Sequence, residues 1–246
     1  MRSLAIIPTY NERENLSRLI LEVLSADPDL DVLVVDDGSP DGTGELAETF
    51  ARQTSRVRVI HRGSKQGLAT AYVEGFEYAL ARDYELIIQM DADFSHRPQD
   101  LPRLLRAAED ADVVIGSRNV PGGRTENWSA LRRLISRGGS FYARTLLKLP
   151  IRDCTSGFKC FRREVLESID FDNLEAGGFG FQVEVNTFAV RAGFRIAEVP
   201  IVFPDRAAGR SKMNWKIFLE ALTLVWQLRS QQPPSPSAIP TACLSR

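Results

Sequence analysis

Two apolar runs, residues 32–35 and 86–90, lead straight into carboxylates. The first is followed by Asp36, Asp37 and, after Gly38-Ser39-Pro40, Asp41; the second is followed by Asp91-Ala92-Asp93. Acids crowded together repel one another unless a cation or a hydrogen-bonding ligand occupies the gap. Asp91 and Asp93, one residue apart, offer hard oxygen ligands suited to Mg²⁺ or Mn²⁺, ions that keep several waters and bind substrate phosphates. Asp-x-Asp alone is common on solvated loops, and it is the position at the end of an apolar strand that favours a metal here. Asp36 and Asp37 are placed to accept hydrogen bonds from a base or a ribose. The simpler alternative is an Asp-Gly-Ser-Pro turn that takes the chain out of a strand.

The cations form a complementary set. Between residues 124 and 148 stand Arg124, Arg132, Arg133, Arg137, Arg144 and Lys148 against Glu126. Arg132 and Ser136, four apart, share one helical face and can hold a phosphate by a charged fork plus a hydroxyl; a solvated basic face is the alternative. Residues 205–212 carry Arg206, Arg210 and Lys212 on a Gly-containing segment suited to closing over a diphosphate and excluding water. Read plainly, it is an exposed basic linker. Residues 42–47 match the dinucleotide fingerprint G-x-G-x-x-A, but Asp36, Asp37 and Asp41 stand where a pyrophosphate would approach, and the next apolar run ends at His61-Arg62 with no ribose-binding acid. His61 and His96 read as unconnected surface histidines. No Ser-His-Asp or Cys-His pattern argues for covalent catalysis.

Apolar runs at 4–7, 32–35, 57–60, 86–90 and 113–115 alternate with amphipathic stretches at 14–24, 43–52, 69–81 and 99–109. That alternation predicts an α/β fold with a mostly parallel central sheet flanked by helices, and ligands at the carboxyl ends of the strands. After Gly116 come a Pro121-Gly122-Gly123 loop, a helix over 131–147, an apolar stretch over 196–203 and an amphipathic helix over 215–228, whose Trp215, Phe218 and Trp226 suit either a core or a lipid surface. A single domain over 1–229 is expected, followed by a disordered Pro-rich tail over 230–246.

With 43% hydrophobic and 26% charged residues, the 246-residue chain has material for a sizeable core, which excludes global disorder and a fibre. A net charge of −1 provides no overall field for nucleic acid, so anion sites must be local. Cys154, Cys160 and Cys243 are odd in number and lack Cys-x-x-Cys spacing, which fits a reducing cytoplasm rather than a disulfide framework or zinc site. The apolar run before Pro8 is too short for a signal peptide, and no run approaches the roughly 18 residues of a membrane span. A soluble or peripheral protein is expected.

The ordered motifs LAIIPTYNERENL, VLVVDDGSPDGT, MDADFSHRP, IGSR, LRRLISRGG and VPIVFPDRAAGRSKM resemble those of the dolichol-phosphate (polyprenol-phosphate) mannosyltransferases. These are inverting glycosyltransferases of the GT-A (nucleotide-diphospho-sugar transferase) fold. The resemblance runs over about residues 3–228. It implies transfer of mannose from GDP-mannose to a polyprenyl or dolichyl phosphate, giving a β-linked mannosyl phosphate. On that match Pro8, Tyr10, Glu12, Val35, Asp36 and Asp37 fall in the nucleoside site, and Asp91, Ala92 and Asp93 in the nucleotide-sugar and metal segment. Arg118, Arg206 and Lys212 contact phosphates, while Arg132 and Ser136 hold the acceptor phosphate. Ser95 stands where some members carry a Gln that adds a metal contact, and its shorter side chain reaches less far. Asp91, Asp93, Arg206 and Lys212 carry catalysis, with Asp91 orienting donor and metal rather than acting as a base. The implied setting is the cytoplasmic face of a membrane, bound peripherally through the basic helix and the 215–228 helix, with or without a separate anchor protein. Rival readings are a polyprenyl-phosphate glycosyltransferase using another donor such as UDP-glucose, and a non-catalytic nucleotide-sugar-binding module.

Overall fold

The computed structural model describes residues 1–171, 174, 178–205 and 223–229. The aliphatic runs form β1 (Ser3–Thr9), β2 (Leu30–Asp36), β3 (Val57–His61), β4 (Leu86–Gln89) and β5 (Val113–Ser117). Between them lie α1 (Arg13–Ala26), α2 (Thr43–Gln53), α3 (Leu68–Leu80) and α4 (Leu101–Ala107). The second half adds β6 (Arg124–Thr125), α5 (Ala130–Leu147), β7 (Lys159–Arg162), α6 (Arg163–Glu167), α7 (Gly178–Arg191), β8 (Ile196–Pro200) and β9 (Val202–Phe203). The seven-stranded sheet has the order β3-β2-β1-β4-β7-β5-β8. All its pairings are parallel except those of β7, which runs antiparallel to both β4 and β5. This is the expected α/β architecture with helices on both faces. From β1 the chain winds outward through β2 and β3, then returns to place β4 on the other side of β1. That reversal opens a crevice at the carboxyl ends of β1, β2 and β4, where ligands of such sheets collect.

Strands β1, β2, β4 and β5 are buried on both faces, which is why they read as apolar runs. Leu4 and Ile6 of β1, with Leu33 and Val35 of β2, point into the core under α3 and α7. Ala5, Ile7, Val32 and Val34 point into the core under α1, α2 and α4. Helix α3 lies so close to β1 that a Cβ on Gly75 would stand 2.5 Å from Ile6 Cγ2; only glycine permits that approach.

Several elements depart from the expectation. The apolar stretch 196–203 is interrupted at Ile201 and forms two strands, β8 in the main sheet and β9 in a two-stranded ribbon with β6. Strand β7 and helix α7 were not foreseen. Of the expected 215–228 helix, residues 223–229 are described and are helical; the rest of that helix, and the 230–246 tail, lie outside the described residues.

Strand β7 brings a cation into the interior. Lys159 faces Gln89 across the β4–β7 pair, is fully buried, and donates from Nζ to the Gln182 carbonyl at 3.1 Å. Burial lowers its ammonium to about pKa 7, against the opposing pull of Cys154 and Asp153. Below pH 7 the fold must bury that charge. Between pH 7 and the ordinary value of 10.5 the unfolded chain binds the extra proton, so this group makes stability rise with pH across that window. Lys159→Met, of similar volume and uncharged, is expected to raise the unfolding temperature, and by more at pH 6 than at pH 10. Thermal unfolding at the two pH values checks this; a lower melting temperature at pH 6 would count against it.

Candidate active site

Asp36 and Asp37 leave β2 with different tasks. Asp36 is buried, and its carboxylate accepts from Thr9 Oγ1 at 2.8 Å, Ser39 Oγ at 2.6 Å and the Ser39 amide at 3.0 Å. Those three bonds fill most of a carboxylate's acceptor positions, so Asp36 fastens the strand exit instead of presenting its oxygens to a ligand. Asp37 lies 2.7 Å from Arg62 Nη1, an ion pair by distance whose angle falls outside hydrogen-bond geometry. Arg62 is itself held by Gln66 and Thr70. Pro8 pairs in register with Val35. The Val35 side chain is fully buried in the core, so what Val35 offers a ligand is backbone. Beyond β1, Tyr10 carries Lys65 Nζ over its ring at 3.9 Å. The amide of Glu12 donates to Thr43 Oγ1 at 3.0 Å, and its carboxylate accepts from Asn15 at 2.9 Å.

The Asp91-Ala92-Asp93 turn is held from three sides. Tyr72 donates its hydroxyl to Asp91 Oδ1 at 3.0 Å. Burial first, then Asp91, pushes the Tyr72 phenol well above its ordinary pKa, so it stays protonated and donates. The Asp91 amide donates to His96 Nδ1 at 2.9 Å, which places the ring proton on Nε2. Asp93 Oδ1 accepts from the Ser95 amide at 3.0 Å and from Ser95 Oγ at 2.5 Å. The hydroxyl of Ser95 thereby orients the Asp93 carboxylate, while Ala92 packs into the core. His96 departs from expectation: it is buried, stacked on Phe158 at 4.9 Å and met edge-on by Phe203 at 5.5 Å.

Among the described residues no group of three or more His, Cys, Asp or Glu is gathered to hold a metal. Asp91 and Asp93 do fit a cation of the Mg²⁺ or Mn²⁺ kind, because such ions take one or two carboxylates and complete their shell with water and substrate phosphates. The Asp91 side chain is 29% exposed, so one edge of the pair faces the crevice.

Across the crevice stand the arginines. Arg118 grips Asp153 through Nε at 2.8 Å and Nη2 at 2.7 Å, and its amide donates to the same carboxylate at 2.9 Å. Burial alone would raise the Asp153 carboxyl, yet Arg118 holds it below the usual range. The sequence does not single out Asp153, which stands beside Arg152 with nothing local to mark it. Helix α5 begins at Ser129, whose hydroxyl accepts from the Arg132 amide at 3.2 Å. Ser136 lines a narrow cleft together with Arg118, Asn119, Arg133 and Arg137. Arg132 turns beside that cleft, 3.9 Å over the Trp128 ring and 2.6 Å from Asp205 Oδ1. Arg206 and Lys212 lie outside the described residues.

Residues 4–170 match the family model described as Glycosyl transferase family 2. The chain belongs to glycosyl transferase family 2. It is 48% identical to the undecaprenyl-phosphate mannosyltransferase of Micrococcus luteus over 94% of this chain and 96% of that protein. It is 47% identical to the polyprenol monophosphomannose synthase of Mycolicibacterium smegmatis over 94% of this chain and 88% of that protein. Among solved structures, the mannosyltransferase PcManGT from Pyrobaculum calidifontis, in complex with GDP-Man and Mn²⁺, superposes with a TM-score of 0.63 at 18% identity, covering 96% of this chain and 66% of that one. Glucosyl-3-phosphoglycerate synthase from Mycobacterium tuberculosis, with Mn²⁺, UDP and glucosyl-3-phosphoglycerate, superposes with a TM-score of 0.68 at 19% identity, covering 95% and 81%. At such identities these two establish the shared fold.

In this glycosyl transferase the buried His96 holds the acid turn from beneath. His96→Ala leaves the part-buried Asp91 amide without its acceptor, which costs about 1 kcal/mol or more. A shift of the turn by about 1 Å lowers turnover by up to about 10²-fold. His96→Asn, which keeps an acceptor near the Nδ1 position, is expected to recover part of both losses. Melting temperature and kcat of the two variants test this, and equal damage in both would refute the hydrogen-bonding role.

Proposed function

We propose that this enzyme transfers mannose from GDP-mannose to the phosphate of a polyprenyl lipid, within a single catalytic domain over residues 1–229. The observation that carries the reading is the facing arrangement of the acid turn and the arginine-lined cleft, which gives one crevice a donor side and an acceptor side. Full-length likeness to two polyprenyl-phosphate mannosyl enzymes at 47–48% identity supports the choice of sugar and lipid. Strand β1 separates the ends of β2 and β4, so Asp37 and Asp91 stand about two strand spacings, roughly 10 Å, apart. A nucleoside diphosphate bridges such a gap with its base near Pro8, Tyr10, Glu12 and Asp37 and its diphosphate near Asp91 and Asp93.

A lipid phosphate is ionised near neutral pH, so the nucleophile needs no strong base. The site agrees: Asp91 is tied to Tyr72 and orients the donor. The buried thiols of Cys154 and Cys160 are pushed up to about pKa 12, principally by burial, and offer no thiolate for covalent catalysis. A phosphate oxygen, held by Arg132 and Ser136 beside Arg118, attacks C1 of mannose. The C1–O bond to the β-phosphate breaks, GDP leaves with the electron pair, and the anomeric centre inverts. Alignment and stabilisation of the departing charge do most of the work. A divalent cation at Asp91 and Asp93, when bound, supplies Lewis-acid stabilisation to the leaving diphosphate. Arg206 and Lys212 are assigned to the same diphosphate by motif alone.

The lipid must come from a bilayer, and α5 presents the surface for it. Its inner face buries Ser140, Ala143 and Leu147. Its outer face leaves Leu131, Leu134 and Phe141 at 66%, 68% and 69% exposed, beside Arg133 and Arg137. Apolar side chains rimmed by arginines suit shallow burial in an anionic membrane surface. Among the described residues no helix is long and apolar enough to cross a membrane.

The test is transfer of labelled mannose from GDP-mannose, within a panel of nucleotide sugars that includes UDP-glucose, to polyprenyl phosphate supplied either in detergent or in anionic vesicles. The expected product is a mannosyl phosphate lipid formed from GDP-mannose and reduced at least 10²-fold by Asp93→Ala. Leu134→Ser combined with Phe141→Ser is expected to lower the vesicle rate about ten-fold or more while sparing the detergent rate. Transfer from another nucleotide sugar alone would move the donor assignment, and turnover with no lipid acceptor would sink the proposal.

A further inference from the structure

Resting on the reading that Arg132 takes the acceptor phosphate, we propose that Asp205 is a built-in stand-in for that phosphate. Its carboxylate holds Arg132 in the acceptor-free enzyme and is exchanged for the lipid phosphate when the acceptor binds.

Asp205 Oδ1 lies 2.6 Å from Arg132 Nη1, across 73 residues of sequence. A carboxylate presents anionic oxygens to a guanidinium much as a phosphate does, so the pair has the chemistry of the complex that replaces it. The placement is built by neighbouring structure. The β6–β9 ribbon pairs Arg124 with Val202 and Thr125 with Phe203, and the Glu126 amide donates to the Phe203 carbonyl at 2.9 Å. The Phe203 ring meets His96 at 5.5 Å and Trp128 at 5.4 Å, both edge-on, and lies 5.1 Å from the Arg118 guanidinium. Asp205 stands two residues beyond this wedge. On the other side, Trp128 fixes Arg132 by stacking at 3.9 Å.

The consequence follows from charge. Ser136, Arg118, Arg133 and Arg137 line the adjoining cleft, and a phosphate entering there meets Arg132 next to a like-charged carboxylate. The Arg132 and Asp205 side chains are 25% and 41% exposed, so their ion pair is worth little net energy. The ion pair therefore sets a small threshold. A dianionic phosphate delivered by a lipid passes it, whereas a weak monoanion gains too little from one arginine to displace the carboxylate.

The experiment compares the full chain with Asp205→Asn, Arg132→Ala and the double variant, measuring KM for a short-chain polyprenyl phosphate and for GDP-mannose. Calorimetric binding of the same polyprenyl phosphate, without donor, runs in parallel. Asp205→Asn is expected to tighten the acceptor about two- to five-fold in both measurements, to leave the GDP-mannose KM unchanged, and to give no gain on the Arg132→Ala background. An acceptor affinity that is unchanged or weakened in Asp205→Asn overturns the exchange, and so does an equal gain in the double variant. If Arg132→Ala binds the acceptor as well as the wild type, the Arg132 assignment falls and takes the exchange with it. If no mannose is transferred at all, the functional reading fails on its own, and the calorimetric comparison still decides whether Asp205 competes with a lipid phosphate.

Discussion

Repulsion among carboxylates at one edge of the sheet is the constraint around which this molecule is arranged. Asp36, Asp37, Asp91 and Asp93 all stand at the carboxyl ends of β2 and β4, and each is stabilised differently. Asp36 takes hydroxyl and amide donors within its own turn, and Asp37 takes Arg62. Asp91 takes Tyr72, and Asp93 takes Ser95. Asp37 alone among the four is paired with a cation in these contacts, while the Asp36 oxygens are occupied by donors from Thr9 and its own turn. Asp91 and Asp93 are oriented by the Tyr72 and Ser95 hydroxyls, and the Asp91 side chain is part-exposed toward the crevice. Division of labour within the acid cluster thus follows from which carboxylate oxygens are already occupied within the protein.

The arginine wall is joined to the acid turn by packing. His96 accepts the Asp91 amide and stacks on Phe158; Phe203 meets His96; Trp128 meets Phe203; Arg132 lies over Trp128. Aromatic contacts of this kind fix ring positions more sharply than their modest energies imply, so the acid turn and the arginine-lined cleft share one framework. The buried Arg118–Asp153 pair anchors the same framework from below. Such a pair adds little net stability, but breaking it would leave a charge stranded in the interior.

The fold class was legible because β1, β2, β4 and β5 are buried on both faces and so appear as aliphatic runs, with acids marking where two of them end. Strand β7 was not, since Lys159 and Arg162 bracket only Cys160 and Phe161, and nothing local distinguishes four such residues from a loop. Helix α7 hid for the opposite reason: it opens on glycines and buries Phe181, Gln182, Val183, Val185 and Asn186, so no clean polar face remains to give a period. In the candidate site, Asp93 and the α5 arginines drew attention by residue type and spacing. His96 was not, because a histidine five residues after an aspartate does not announce that its ring accepts that aspartate's amide. Val35 and Asp36 fall in the nucleoside segment that the resemblance implies, yet only the structure shows one directed into the core and the other closed upon its turn.

The central claim is that Asp91 and Asp93 make half of a cation site which the donor diphosphate completes. Titrating Mn²⁺ into the protein, with free ion followed by electron paramagnetic resonance, in the absence and presence of GDP tests it most directly. The account predicts weak binding to protein alone and binding at least about ten-fold tighter with GDP, as expected when two carboxylates need phosphate oxygens to fill the shell. Equal affinity with and without GDP would contradict it.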